Sequence, residues 1–443
     1  MIDNSIFNNK KVVYHTLGCK LNFAETSAIG KQLSEEGFVK ARPAEQADLC
    51  IVNTCSVTDV ADSKCRQAIK KLRRQYPKAI MVVTGCYAQL KPQEIAAIEG
   101  VDLVLGSNEK FDMLKFLRDL EVGENKQIHR ADISQIKQFR PSCSQDDRTR
   151  YFLKVQDGCS YRCSYCTIPF ARGRSRSGTL TETVEAARKA LAAGAKEIVL
   201  TGVNIGDFGR GTKESFFDLV QALDQLPEED IRFRISSIEP NLLTDDIIRY
   251  VARSRHFMPH FHIPLQSGTN EALKIMKRHY TRELFADKIT CIKHELPHAF
   301  IGVDVIVGIR GETDELFQQS CDFIQNLDIS QLHVFTYSER SGTKMLEIEH
   351  QVPIPERKRR SEILHRLSDQ KTNSFYEKQM GQTTQVLWES RRQEDKMTGF
   401  SSNYIRVERP YDRKRINQLE TIRLGNWNDE KSALRVEETG GRA

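Results

Sequence analysis

Short apolar runs alternating with longer amphipathic stretches recur along most of this chain, and that alternation limits the fold more than any other feature. From Lys10 to about Arg130 the runs are Val12-Val13-Tyr14-His15, Leu49-Cys50-Ile51-Val52 and Ile80-Met81-Val82-Val83. From Tyr151 to Ser338 they are Phe152-Leu153-Lys154-Val155, Ile198-Val199-Leu200-Thr201, Phe233-Arg234-Ile235-Ser236, Phe261-His262-Ile263-Pro264, Val303-Asp304-Val305-Ile306-Val307 and Leu332-His333-Val334-Phe335. Strands separated by helical stretches build parallel sheets from βα units. The first set predicts a small doubly wound parallel α/β domain over residues 1–130. The second set, six βα units, predicts a partial (βα)6 barrel over residues 145–375, with function on the loops after its strands. A polar linker from about Gln127 to Arg150, carrying Pro141-Ser142-Cys143-Ser144, separates the two.

Beyond Pro353-Ile354-Pro355 lies a charged helical stretch, Glu356 to about Lys378, containing Arg357-Lys358-Arg359-Arg360. That run reads equally as a solvated helix face or as a contact for an anionic partner. From Gly381 short alternating runs, Thr384-Gln385-Val386-Leu387-Trp388 and Asn403-Tyr404-Ile405-Arg406-Val407, predict a small antiparallel β-barrel over 376–443. Barrels of this size include nucleic-acid binders. A length of 443 residues agrees with two or three domains rather than one. A net charge of +6 suits a polyanionic partner but is too mild to require one. With eleven cysteines, no secretory segment and no apolar run able to span a bilayer, the expected setting is a reducing cytoplasm without a membrane partner.

The cysteines are the chemical signal. Cys159, Cys163 and Cys166 stand in Asp157-Gly158-Cys159-Ser160-Tyr161-Arg162-Cys163-Ser164-Tyr165-Cys166. A cubane iron–sulfur cluster normally takes four thiolates, and structural zinc takes four N or S ligands. A C-x3-C-x2-C trio with no local fourth ligand therefore suits a cube with one open iron, unless the distant Cys143 closes the site. Each N-terminal apolar run also ends in a cysteine, in Thr16-Leu17-Gly18-Cys19, Val52-Asn53-Thr54-Cys55 and Val83-Thr84-Gly85-Cys86. Cysteine is common in cores. The shared place of these three at strand ends, where an open parallel sheet binds ligands, favours a second metal site.

Other motifs are weaker. Arg172-Gly173-Arg174-Ser175-Arg176-Ser177-Gly178 follows the cluster loop, and Arg172, Arg174 and Arg176 are candidates for RNA phosphate contacts. Gly202, after Thr201, permits a close backbone approach to a ligand. Glu239 and Gln266 follow the third and fourth barrel strands and are candidates for ribose or amino acid contacts. His260 and His262 alternate along one strand and read more simply as packed barrel residues than as metal ligands, as Cys50, Cys65, Cys291 and Cys321 read as ordinary thiols.

With Tyr165 before its last cysteine, the C-x3-C-x2-C motif resembles that of the radical S-adenosylmethionine (SAM) enzymes. The resemblance implies that Cys159, Cys163 and Cys166 hold a [4Fe–4S] cluster whose open iron is chelated by SAM. It also places Tyr165, Thr201 and Gly202 at the cofactor, while Glu239 and Gln266 stay candidates by position alone. Taken with the N-terminal cysteines and the C-terminal barrel, the whole chain resembles the methylthiotransferases. That implies a second [4Fe–4S] cluster on Cys19, Cys55 and Cys86 and an RNA-gripping TRAM domain at the end. Within that family, Thr16-Leu17-Gly18-Cys19-Lys20-Leu21-Asn22 with Glu25-Thr26, and Pro169 to Ser177, resemble the branch acting on tRNA N6-threonylcarbamoyladenosine. The expected activity is addition of CH3S to C2 of that nucleoside beside the anticodon. The partners implied are a tRNA anticodon stem-loop, an electron donor such as flavodoxin or ferredoxin, and a sulfur donor. The near alternative is another methylthiotransferase activity, on isopentenyl-adenosine in tRNA or on an aspartate of a ribosomal protein. A non-catalytic iron–sulfur carrier or RNA-binding regulator is the rival of another class, but a ferredoxin needs four thiolates per cube. Two departures from the family pattern are Ile309-Arg310, where Phe-Pro is expected, and Ser341, where proline is usual.

Overall fold

The computed structural model describes residues 8–120, 127–144 and 149–437. Its first layer is a six-stranded parallel sheet of β1 (Lys11–Thr16), β2 (Val39–Lys40), β3 (Leu49–Thr54), β4 (Ile80–Gly85), β5 (Leu103–Leu105) and β6 (Gln127–His129), in the order β2-β1-β3-β4-β5-β6. Only β1, β3 and β4 were legible as apolar runs, since β2, β5 and β6 are two or three residues long. Helices Lys20–Glu35 and Asp59–Gln75 cross over between strands. β3 and most of β4 are buried on both faces, which is why their sequences are continuously apolar rather than alternating. The strand order reverses between β1 and β3, the place where doubly wound sheets bind ligands. Thr16 pairs with Asn53 and Asn53 with Thr84, so the ends of β1, β3 and β4 are level. The three loops after them emerge side by side.

The second unit carries β7 (Ser142–Cys143), β8 (Arg150–Lys154), β9 (Gln156–Asp157), β10 (Arg176–Ser177), β11 (Glu197–Thr201), β12 (Arg232–Ile235), β13 (His260–Gln266), β14 (Phe300–Val307) and β15 (Gln331–Thr336). β8, β11 and β12 run parallel in one sheet, β13, β14 and β15 in another, and bridges from Phe233 to Phe257 and from Ser237 to His262 join the two. All six expected strands are present, and they curve into the partial barrel. Its outer face packs against the helices through the largest apolar cluster, which includes Leu153, Leu200, Phe233, Phe261 and Val305. Its inner face is partly covered by the N-terminal helix Lys20–Glu35, whose Phe23 and Ala24 pack against Phe152 and Val199.

Helix Ile354–Glu377 lies against β15. Arg357 and Arg360 turn inward: Arg360 donates to Glu312 at 2.7 Å and Asp314 at 2.6 Å, and Arg357 to Val352 O at 2.8 Å. The basic run is thus neither wholly solvated nor wholly free for an anion, because two of its four members are spent on the barrel. The chain ends in a closed barrel of β16 (Thr383–Gln393), β17 (Lys396–Ser401), β18 (Arg406–Pro410), β19 (Leu419–Trp427) and β20 (Leu434–Val436) around the buried Trp388. Arg232 and Arg234 anchor it, donating to the carbonyls of Gln385 at 2.6 Å and Ser401 at 2.7 Å. No helix of the described residues is long and apolar enough to cross a membrane.

Candidate active site

The first cysteine trio is assembled by a buried hydrogen-bond net. Asn22 Nδ2 donates to Leu17 O at 2.8 Å and to Thr54 O at 3.1 Å, and Asn53 Nδ2 donates to Asn22 O and to Thr26 Oγ1, each at 3.0 Å. The Cys19 and Cys55 loops are thereby laced together. Gly18 sits at φ +102°, and a Cβ there would lie 2.6 Å from Cys55 Cβ, so only glycine lets these loops approach. Gly85, at φ +98°, would put a Cβ 2.4 Å from Thr54 O and so keeps the Cys86 turn against β3. Cys19 is the residue before helix Lys20–Glu35 and Cys86 opens the helix Cys86–Leu90, where partial positive charge favours thiolates. Burial raises the Cys55 thiol to about 12, with Cys86 and Cys19 adding to the shift, and it raises Cys86 as well.

The second trio lies in the loop after β9. Burial raises Cys159 and Cys166 to about 12; it raises Cys163 too, against the opposing charge of Arg278. Arg278 Nη1 is 2.9 Å from Cys163 Sγ and 3.4 Å from the Tyr165 hydroxyl, while its other amino group pairs with Glu239. All three cysteines line a cavity of about 800 Å³ whose mouth carries the exposed cations Arg162, Arg174, Arg210 and Lys344. Among the described residues, the group of three potential ligand atoms drawn within 4.8 Å of one another is His262, Asp304 and His333. Neither cysteine trio is so tight, whereas thiolates on one zinc ion sit about 3.8 Å apart from Zn–S distances of about 2.3 Å. Cys159, Cys163 and Cys166, lining one cavity, are a donor set that suits a cube with one open iron.

Between the trios lies a fully buried ion network. Glu25 accepts from Lys110 at 2.5 Å, Lys154 at 3.0 Å and Arg172 at 3.0 Å; Asp157 pairs with Lys154 at 2.7 Å and with Arg172 and Arg176 at 3.1 Å. Burial pushes the Glu25 carboxyl up, but Arg172, Lys110 and Lys154 outweigh it and hold it well below the usual carboxylate range. Glu25 belongs to the Cys19 helix, Asp157 stands two residues before Cys159, and Arg172 closes the helix after Cys166. The network braces both trios. Four cations against two carboxylates leave it net positive beside Cys86, a setting that favours an anionic group there.

Arg172 is therefore no RNA contact, a correction to the expectation from sequence: its side chain is 2% exposed and bound to Asn22, Glu25 and Asp157. Arg176 is also tied to Asp157, with its side chain 13% exposed, and Arg174 points to solvent. Gly202 makes room for Gln156, whose Oε1 accepts from Val203 and Asn204 amides at 3.0 and 2.8 Å. Thr201 is buried at the end of β11. Gln266 stands at φ +67° after an irregularity in β13, with a buried Oε1 that has no partner among the described residues. Holding a non-glycine residue there costs about 1–3 kcal/mol of strain. Both amide atoms of Asn204 are buried and have no partner among the described residues. Sequence reasoning missed Asn204, Arg278 and Glu25. The unassigned end of the strand motif Thr201-Gly202-Val203-Asn204 could have found the first, and Glu25 stood in the Thr16–Thr26 motif without a role assigned to it; no local pattern marks Arg278.

Cys143 stays at the edge strand β7, its thiol raised to about 12 by burial and donating to Ser144 O at 3.5 Å, away from both sites. The Ile309-Arg310 departure is accommodated: Ile309 is buried and Arg310 donates to Glu339 and to the carbonyls of Leu346 and Ile348 at 3.0 Å. Next to Ser341, the buried Arg340 reaches the N-terminal domain, pairing with Asp59 at 2.7 Å and Asp62 at 3.0 Å.

Comparison with known proteins agrees with this layout. Residues 11–106 match an uncharacterized protein family, UPF0004, and residues 153–324 match the radical SAM superfamily. A threonylcarbamoyladenosine tRNA methylthiotransferase MtaB of Bacillus subtilis (strain 168) is 40% identical over 406 residues, 89% of each chain. A tRNA-2-methylthio-N(6)-dimethylallyladenosine synthase of Desulfitobacterium hafniense (strain Y51) is 30% identical, over 95% of this chain and 96% of that one. Among solved structures, the radical SAM methyltransferase TsrM from Kitasatospora setae, with tryptophan and a SAM analog bound, superposes with a TM-score of 0.55 at 15% identity, covering 74% of this chain and 73% of that one. That likeness concerns the fold alone.

Proposed function

The chain belongs to the radical SAM methylthiotransferases of the MtaB type, and from that premise we propose that it places a methylthio group on C2 of N6-threonylcarbamoyladenosine beside the anticodon of tRNA. The observation that carries this reading is the pair of cysteine trios braced by one ion network. When bound, the two [4Fe–4S] clusters and SAM supply the radical that breaks the C2–H bond and the sulfur and methyl that replace the hydrogen.

The protein's own residues do the holding. Cys159, Cys163 and Cys166 present three thiols beside the cavity, and Arg278 sets a positive charge against Cys163. Tyr165, Thr201, Gly202, Glu239 and Gln266 are the residues proposed at the SAM side, and the unpartnered Gln266 Oε1 supports that placing. Cys19, Cys55 and Cys86 present the first trio at the sheet's switch point. Arg162, Arg174, Arg210 and Lys344 around the mouth suit phosphates of a nucleic acid loop, since guanidinium and ammonium groups position RNA through its backbone. A splayed loop base is the form in which such enzymes reach a target atom. The C-terminal barrel adds a second basic surface at the exposed Arg413 and Lys414. An electron donor such as flavodoxin or ferredoxin, a sulfur donor and a cytoplasmic setting complete the proposal.

The test is nucleoside mass spectrometry after reaction of the anaerobically reconstituted enzyme with tRNA carrying threonylcarbamoyladenosine. The expected product is heavier by CH2S on the base. Modification of isopentenyl-adenosine tRNA alone would move the chain to the activity of its more distant relatives.

A further inference from the structure

In the run Thr16 to Thr26, nearly every polar side chain has a visible job. Thr16 bonds Thr26 at 2.9 Å, Asn22 laces the cysteine loops, Glu25 anchors the ion network and Cys19 is a cluster thiol. Lys20 is the exception, having no carboxylate or hydrogen-bond partner among the described residues. It also breaks a local rule. Lys20 opens the helix Lys20–Glu35, whose first turn holds no acidic residue, and a cation at that end opposes the helix dipole. A residue that costs stability locally with nothing to offset it points to a function.

Its direction follows from helix geometry. Residues three and four apart share a face, so Lys20 lies with Phe23 and Ala24, the residues that pack on the barrel's inner strands. On that inner face, the neighbouring parallel strands β13, β14 and β15 bring His262, Asp304 and His333 together. His262 Nε2 is 2.6 Å from Asp304 Oδ1, and the two imidazole rings are 4.9 Å apart. Burial lowers His333, and His262 and Lys20 lower it further against the opposing charge of Asp304, so Lys20 lies within electrostatic reach of this group. The other cations along the inner strands are committed: Arg234 to Glu197 at 2.8 Å and Arg150 to Glu389 at 2.9 Å. Lys20 is a spare positive charge one residue from a cluster thiol, facing a cluster of polar donors and acceptors.

We infer that Lys20, His262, Asp304 and His333 form the subsite that reads the threonylcarbamoyl arm of the substrate, with Lys20 taking its carboxylate and the His262–Asp304–His333 group its hydroxyl and ureido polar atoms. The inference rests on the function proposed above. The arm leaves the base on its Watson–Crick edge, the edge that also carries C2. A carboxylate reader beside Cys19 therefore sits where the atom to be modified meets the second cluster. An isopentenyl arm offers no charge for Lys20, so this subsite discriminates between the two tRNA nucleosides by an interaction only one of them makes.

The experiment compares wild type with Lys20→Gln and His333→Asn on tRNA carrying threonylcarbamoyladenosine and on the same tRNA with the threonyl carboxylate converted to its amide. Iron content and 5′-deoxyadenosine formation are followed in every sample to show that the clusters stay intact. For wild type, the amide should lower kcat/KM by about 10- to 100-fold, as expected for one charge-assisted hydrogen bond. Lys20→Gln should lose a similar factor on the acid and little on the amide, and His333→Asn should weaken both. Equal losses of Lys20→Gln on acid and amide, or no loss on the acid, would overturn the assignment. So would a stoichiometric divalent metal in wild type, separate from the cluster iron and lost in His333→Asn, which would make the group a metal site. If wild type fails to modify the acid substrate at all, the proposed function itself falls.

Discussion

Glu25→Gln is the sharpest perturbation of this architecture. The substitution keeps the side chain's shape and removes one charge from a site where Glu25, Lys110, Lys154 and Arg172 are all within 2% of full burial. The network then changes from four cations facing Glu25 and Asp157 to four cations facing Asp157 alone. Breaking one partner of a buried ion cluster costs about 3–5 kcal/mol, because the remaining charges stay desolvated without compensation. For a chain of 443 residues, at about 2.1 cal/mol/K per residue, that is a fall in melting temperature of roughly 3–5 °C. The loss is read by circular dichroism melts and by urea titration of anaerobically prepared protein, with iron content measured on the same samples. Glu45→Gln is the control: Glu45 pairs with Lys11 at 3.2 Å on the surface, and exposed pairs contribute about 0–1 kcal/mol. The reasoning fails if the two variants melt within about 1 °C of each other, since burial of the network would then carry no energetic consequence.

Four further outcomes follow from the same geometry. Because the folded Glu25 carboxyl is held below its unfolded value, its contribution is fully present above the unfolded pKa of about 4.3 and is lost as pH falls below it; urea titrations from pH 6 downward should show stability falling there, with a shallower slope in Glu25→Gln. Arg340→Ala removes the 2.7 and 3.0 Å pairs that dock the Cys55 loop on the barrel, so single-turnover assays should show methylthiolation falling by about tenfold or more while 5′-deoxyadenosine formation persists. Arg278→Met takes the positive charge from Cys163 and the partner from Glu239, and should reduce iron retention by the second trio, measured by anaerobic dialysis against a chelator. Trp388→Ala opens the core of the terminal barrel at a cost of about 3–5 kcal/mol, lowering tRNA affinity in filter binding while SAM cleavage stays near wild type.

The sequence showed what local pattern can show. The six barrel strands stood out because each is an apolar run between amphipathic helices, and the cysteines stood out because each N-terminal one follows such a run. Strands β2, β5 and β6 were illegible since two or three residues carry no periodicity. Arg172 was misjudged for a different reason. In sequence it is one of three arginines in a Gly/Ser-rich segment, and nothing nearby shows that its partner Glu25 lies 147 residues upstream. Arg357 and Arg360 were ambiguous on the same ground, as Glu312 is 48 residues from Arg360. Lys110 and Lys154 look like ordinary lysines until the fold buries them. Charge pairing across domains is a property of the assembled structure, whereas strand ends and ligand spacing are properties of the chain.

The central claim is that two separate trios each hold a cluster. Iron and sulfide analysis with Mössbauer spectra after anaerobic reconstitution tests it most directly, comparing wild type with Cys19→Ala, Cys55→Ala, Cys86→Ala combined in one chain. Two cubes predict about eight irons per chain in wild type, falling to about four in the variant with SAM cleavage retained. About four irons in both would contradict the account and leave the N-terminal trio as core cysteines of a single-cluster enzyme.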